Sequence, residues 1–266
     1  MTPEEMFLFD LQGYLLLRSV LAPAEVAELN DLADQRFPCP PGATGERTAP
    51  HILLWGEPFL RLLDHPKILP YLCGILGPRF RLDHDYGIFM HKGDSRGPLH
   101  GGEGGMDDWW YTCRNGVIRN GLCAVIFFLT PAQAGEGGFV CIPGSHKSRF
   151  LPALPEDVRH FQRSASYVVQ PPVEAGDAVV FTEALVHGTM PWRGDQERRI
   201  LLFKYGPGHC ASSDKFYATS AMPTLTERQR QLLAPPSLYG RPEVLPGQTD
   251  ERDGCEAAQK QSEQVF

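Results

Sequence analysis

The chain has 266 residues, enough for one large domain with a full hydrophobic core, and its 42% hydrophobic and 21% charged residues exclude wholesale disorder, coiled coil and collagen. Twenty-five Lys and Arg against 32 Asp and Glu leave a net charge of −7, which excludes the basic footprint of a nucleic-acid binder. Seven scattered cysteines (Cys39, Cys73, Cys113, Cys123, Cys141, Cys210 and Cys255) include no Cys-x-x-Cys pair and read as reduced thiols of a cytoplasmic protein.

The first residues, MTPEEMFLFDLQGY, have neither the basic region nor the apolar run of an export signal, and no membrane role is expected. In residues 21–34, Pro23 sits at a helix start and Val26, Leu29, Leu32 and Ala33 share one face, which predicts an amphipathic helix. Residues 38–45 form a loop rich in Pro and Gly, and 57–63 and 67–76 predict two short helices broken at Pro66. Residues 1–78 are therefore expected to form a helical layer. From Arg79 the period changes: Phe80, Leu82, Tyr86, Ile88 and Met90 recur at near-alternate positions, as a half-buried strand requires. Further strands are predicted over 122–129, 138–142, 178–181 and 200–205, with Gly and Pro in the gaps. The apolar run 122–129 is far too short to span a bilayer. Many short strands without alternating helices predict a mainly β fold with flanking α, an antiparallel sandwich or jelly roll over residues 79–206. Residues 1–234 read as one domain and 235–266, poor in apolar residues, as a polar, loosely held tail.

Two of the nine histidines have unusual surroundings. His100 lies in Gly97-Pro-Leu-His-Gly-Gly-Glu-Gly-Gly, whose backbone freedom allows a cavity wall or close approach of a ligand. His187 ends a strand that follows a Gly-Asp turn. A jelly roll can bring two such positions together in its mouth, where imidazoles from different strands converge on a transition metal. His146, following Pro143-Gly144, reads as a turn residue rather than a ligand.

The pieces Phe9-Asp-Leu-Gln-Gly-Tyr-Leu-Leu-Leu, His91-Lys with Pro98-Leu-His100, Gly135-Glu-Gly-Gly-Phe-Val-Cys-Ile-Pro-Gly-Ser-His-Lys, and Gly176-Asp before His187-Gly follow in that order. Together they resemble the phytanoyl-CoA dioxygenase family of iron and 2-oxoglutarate oxygenases, over roughly residues 6–206. The resemblance implies a double-stranded β-helix, a cupin-like jelly roll with an N-terminal helical layer. It also implies Fe(II) held by His100 and His187, with 2-oxoglutarate and O2 as cosubstrates and oxidation of an aliphatic C–H bond in a small organic molecule. Arg198, eleven residues beyond His187, is implied to pair with the cosubstrate's C5 carboxylate. A guanidinium fork suits a carboxylate, and an arginine aimed into a barrel needs an anion to justify its burial. The alternative is that Arg198 and Arg199 are solvated charges on an edge strand. Lys92, Thr182 and Trp192 are further candidates for the cosubstrate wall.

The sequence departs from the family at one position: the family's His-x-Asp reads His100-Gly-Gly102 here, and no His-x-Asp occurs anywhere in the chain. The two-histidine, one-carboxylate triad is thus one ligand short at Gly102. Glu103, Asp107 or Asp108 could swing in as third ligand, leaving a hydroxylase. Alternatively chloride takes the vacated position, as in the iron halogenases this pattern resembles. The third reading is a non-catalytic, cupin-like binder of small acids. A zinc hydrolase ranks last, because it gives Arg198 no role. Glu103, Asp107, Asp108, Trp109, Trp110, Tyr111 and Arg114, on the connection after His100, are candidates for substrate contact. The aromatic residues among them are equally suited to packing on the barrel.

Overall fold

The structure, a computed structural model, describes residues 1–40, 45–102, 110–148 and 150–246. Helix α1 (Pro3–Gln12) opens with a reciprocal Thr2–Glu5 capping box and leads through Gly13 into β1 (Tyr14–Leu17). Helix α2 (Pro23–Arg36) buries Val26, Leu29 and Ala33, on the face their spacing predicts. After β2 (Arg47–Pro50), α3 (Glu57–Leu63) and α4 (Leu69–Leu76) complete the helical layer, interrupted near Pro66 as expected.

The strands follow: β3 (Phe80–Met90), β4 (Arg96–His100), β5 (Tyr111–Arg114), β6 (Val117–Asn120), β7 (Cys123–Phe128) and β8 (Gly138–Cys141). Helix α5 (Glu156–Arg159) precedes β9 (Ala178–Thr182), β10 (His187–Met190) and β11 (Arg198–Pro207), and α6 (Glu227–Leu233) comes last. One antiparallel sheet has the order β1-β9-β7-β11-β3-β2, a second has β4-β10-β8, and β5 and β6 form a hairpin. This is the cupin-like jelly roll with flanking helices. The short strands β1, β2, β4, β5, β6 and β10 are not among those the sequence reading predicts.

The large sheet has two buried faces. Val125, Phe127, Val180, Leu201 and Phe203 pack with α2, α3 and α4 in one apolar cluster. Ile126, Phe128, Phe181, Ile200 and Leu202 point the other way and share a second cluster with Phe139 of the small sheet. Alternation along β7 and β11 thus divides a core from a cavity wall. Residues 235–246, placed by composition at the start of the loose tail, lie against this body. Val244 is buried and its N–H donates to Pro78 O, while Arg241 is buried and donates to the carbonyls of Gln231, Ala234 and Pro235.

The most recognisable sequence motif is scaffolding. Ser145 Oγ accepts the N–H of Val186, so it fixes the backbone just before His187. His146 is buried; its Nε2–H donates to Asp10 O at 3.1 Å, its Nδ1 has no hydrogen-bond partner, and its ring lies edge-on to Tyr111. The turn reading of His146 holds, with the added task of tying α1 to the jelly roll. Asp177 of the Gly-Asp turn accepts from Arg18 Nη1 and the N–H groups of Ser19 and Glu174. Gly138, at φ 83°, lets the small sheet approach Arg198: a Cβ there would sit 2.6 Å from Arg198 Nε.

Two outcomes follow. Burial, reinforced by Lys147, holds His146 down to about 4, against its ordinary 6.5 when unfolded. The unfolded chain therefore takes up the proton first, and stability is full above about pH 6.5 and lost as pH falls toward 4. A thermal melt series should show this decline, and His146→Phe should make it shallower, the remainder belonging to His187. Gly138→Ala adds a methyl group against Arg198 in a left-handed backbone position, and overpacking of this kind costs about 1–3 kcal/mol. Its Tm should fall by roughly 2–10 °C.

Candidate active site

His187 on β10 and His100 on β4 are cross-strand partners, and their ring centroids lie 4.4 Å apart. Each ring is oriented by the same device: Nδ1–H of His187 donates to Leu185 O at 2.7 Å and that of His100 to Pro98 O at 3.0 Å. This leaves the lone pair of each imidazole on Nε2, the tautomer a metal needs. Burial pushes His187 down to about 4; Glu183 offsets this in part and His100 adds to it, so the ring is neutral at pH 7.

Arg198 opens β11 and is 1% exposed. Its Nη1 lies 3.4 Å from Met90 Sδ, while Nε and Nη2 are buried without a hydrogen-bond partner. Burial lowers its pKa to about 10, with Arg96 adding to the fall and Glu46 opposing it, so it remains a cation at pH 7. A buried guanidinium with unmet donors is a receptor for a carboxylate. Arg199 has the opposite environment: it faces Glu197, Asn30 and Asp34 on the outside of the sheet. The reading of both arginines as solvated edge charges is thereby set aside for Arg198.

A cavity of about 670 Å³ joins these groups. Its β11 wall is Arg198, Ile200, Leu202 and Lys204, every second residue of the strand. Phe139, Phe181 and Ile126 make it apolar in the middle, whereas Glu183, Lys204, Asp85, His84 and Ser213 make one end polar. Glu183 and Lys204 are both buried and form an ion pair through Oε1. Burial opposes both charges, but their mutual attraction wins, so the carboxyl lies below and the ammonium above the ordinary range. The other carboxylate oxygen, Oε2, lies 3.7 Å from His187 Nε2.

Glu183 and Lys204 are absent from the sequence-derived candidates, although each is a charge set within an apolar run, Phe181–Val186 and Ile200–Tyr205, and that was the available signal. Three of the proposed wall residues do not line the cavity. Lys92 is 63% exposed and pairs with Asp195. Thr182 faces away, donating to Asn120 Oδ1 and accepting from the N–H of Ala184, so it shapes the turn that carries Glu183. Trp192 is buried in the apolar cluster and donates to Gln196 O.

Among the proposed substrate contacts, Tyr111 is a packing residue whose hydroxyl donates to Asp10, and Arg114 is exposed on the β5–β6 hairpin. Trp110 is half-buried beside that hairpin, its carbonyl accepting from Gly121. Glu103, Asp107, Asp108 and Trp109 lie outside the described residues. Gly102 has φ 84°, a left-handed conformation that favours glycine, so its lack of a side chain has a local backbone reason.

The fold has close counterparts among solved structures. HygX from Streptomyces hygroscopicus, crystallised with nickel and 2-oxoglutarate, superimposes with a TM-score of 0.71 at 24% identity, over 82% of this chain and 93% of its own. The carbocyclase SnoK from nogalamycin biosynthesis gives 0.59 at 16% identity, over 85% and 91%. The epimerase SnoN from the same biosynthesis gives 0.56 at 19%, over 78% and 85%. No curated protein sequence matches the chain. Residues 89–200, the stretch that carries His100, His187 and Arg198, match the model of the phytanoyl-CoA dioxygenase (PhyH) family.

Proposed function

We propose that the protein is an Fe(II)- and 2-oxoglutarate-dependent oxygenase that acts on a small organic molecule, with His100 and His187 as metal ligands and Arg198 as the cosubstrate anchor. The observation that carries this reading is the buried Arg198 guanidinium, whose Nε and Nη2 have no hydrogen-bond partner among the described residues. The residues fit the cofactor set: two imidazoles whose Nδ1–H groups are held by carbonyls, leaving Nε2 as the donor, suit a divalent transition metal, and the buried guanidinium suits a dicarboxylate. HygX with nickel and 2-oxoglutarate, and also with hygromycin B, supports a metal, an oxoacid and a small-molecule substrate on the same fold.

When bound, Fe(II) with 2-oxoglutarate and O2 supplies the oxidising power to break an aliphatic C–H bond, with succinate and CO2 as coproducts. The chain's own residues prepare the site. The Leu185 and Pro98 carbonyls hold the histidine tautomers, and burial keeps His187 neutral and ready to ligate. Arg198 fixes one end of the cosubstrate by charge and by its fork. Ile126, Phe139, Phe181, Ile200 and Leu202 exclude water between that anchor and the polar end, where a polar substrate group is received. Hydroxylation is the favoured outcome. Halogenation, with chloride beside the metal, is the second reading, and Gly102 favours it because it offers no side chain to the metal. A non-catalytic binder of small acids is the third. The free thiols of Cys39, Cys113, Cys123 and Cys141 support a reducing, cytoplasmic setting.

The test is an anaerobic optical titration of apo-protein with Fe(II) and 2-oxoglutarate, with and without chloride. A weak visible charge-transfer band is expected; its absence would sink the oxygenase reading. A band that shifts with chloride promotes halogenation, and an insensitive band supports hydroxylation. Arg198→Gln should weaken 2-oxoglutarate by about 100-fold, the worth of two hydrogen bonds to a charged group, while leaving metal affinity in place. His187→Ala should abolish the band.

A further inference from the structure

We propose that Glu183 supplies the metal-binding carboxylate that Gly102 cannot. The inference rests on the metal reading of His100 and His187 and identifies a third donor that the His-Gly-Gly sequence conceals. Glu183 is buried on the cavity wall, four residues before His187, with Oε2 3.7 Å from the His187 Nε2 that carries the lone pair. Its placement is structural and precise: the Glu183 N–H donates to Leu122 O, and Thr182 and Leu185 close the turn between β9 and β10.

A carboxylate buried in a cavity needs a reason to be there, and a lysine alone is a weak one, because a buried ion pair commonly stabilises no better than packed apolar residues. The pair is also asymmetric. Lys204 holds Oε1, and thereby fixes one carboxylate oxygen and leaves the other, Oε2, toward the histidine pair. The other buried acid on the cavity wall, Asp85, is engaged elsewhere, accepting from the Tyr217 hydroxyl and the N–H of Leu53.

The donors of His100, His187 and Glu183 do not yet lie within 4.8 Å of one another. The only such group of three among the described residues is Cys39, His91 and Glu197, where Arg47 and Arg199 already clamp Glu197. Glu183 Oε2 already lies 3.7 Å from His187 Nε2, so the separation that remains involves His100, and the site closes when the His100 and Glu183 side chains turn toward the ion as it enters. A carboxylate from this position keeps the charge of a two-histidine, one-carboxylate centre while leaving Gly102 in its left-handed turn.

The test measures Co(II) binding to the full apo chain by calorimetry, together with the intensity of the Co(II) visible bands, which reports the ligand set. Glu183→Gln should weaken Co(II) by about tenfold or more and alter the bands. Because that variant strands Lys204 in the interior, the double variant Glu183→Gln/Lys204→Met is measured beside it; it removes both charges and should show the same loss while melting cooperatively. If the double variant binds Co(II) as wild type does, with unchanged bands, Glu183 is a structural ion-pair member and the proposal is overturned. A loss confined to Glu103→Gln or Asp107→Asn/Asp108→Asn gives the position to the loop and overturns it as well. His187→Ala separates the two levels: if it binds Co(II) normally, the metal reading itself has failed.

Discussion

Strand β11 has to satisfy a different environment on each face, and the site is arranged around how it does so. Leu201, Phe203 and Tyr205 face the helical layer, whereas Arg198, Ile200, Leu202 and Lys204 face the cavity. At about 3.3 Å per residue, the two cations sit on the order of 20 Å apart at opposite ends of one apolar stripe. A buried cation is tolerable only where an anion meets it. Lys204 has Glu183. Arg198 has no hydrogen-bonded anion among the described residues, and the carboxylate proposed to meet it is that of the cosubstrate.

The small sheet then supplies what lies between these charges. Pairing of β10 with β4 brings His187 opposite His100, and pairing of β10 with β8 brings Phe139 and Gly138 over the same cavity. The conspicuous sequence motif serves this arrangement from behind. Ser145 holds the backbone before His187, and His146 fastens the turn to α1. Asp177 fastens the turn before β9 to Ser19 and Arg18. Chemistry-bearing residues and scaffold residues are thus interleaved along the chain, and a motif can be diagnostic of the fold without touching the reaction.

The elements with a long period were legible. The face of α2, the break near Pro66 and the strands β3, β7, β8, β9 and β11 follow directly from apolar spacing. His100, His187 and Arg198 were singled out by motif order and an eleven-residue count, and the fold brings all three to one cavity. The neighbours were harder. Thr182 looked like a wall residue because it precedes His187 closely, yet strand alternation turns it away from the cavity and toward Asn120. Tyr111 was a candidate for substrate contact or for packing, and its hydroxyl donates to Asp10 of a distant helix. Glu183 and Lys204 went unremarked because nothing local says that two charges 21 residues apart will neutralise one another.

By itself the sequence determined the periodicities, the turn-forming glycines and the short motifs, since each is set by residues within a few positions of one another. Only the tertiary structure decided which charges are buried, which histidines meet and which carboxylate faces them. Those properties depend on sheet register between distant segments, such as His187 on His100, and on the closure of one sheet over another. Register and closure are fixed by the packing of the whole body, so no window of the sequence contains them.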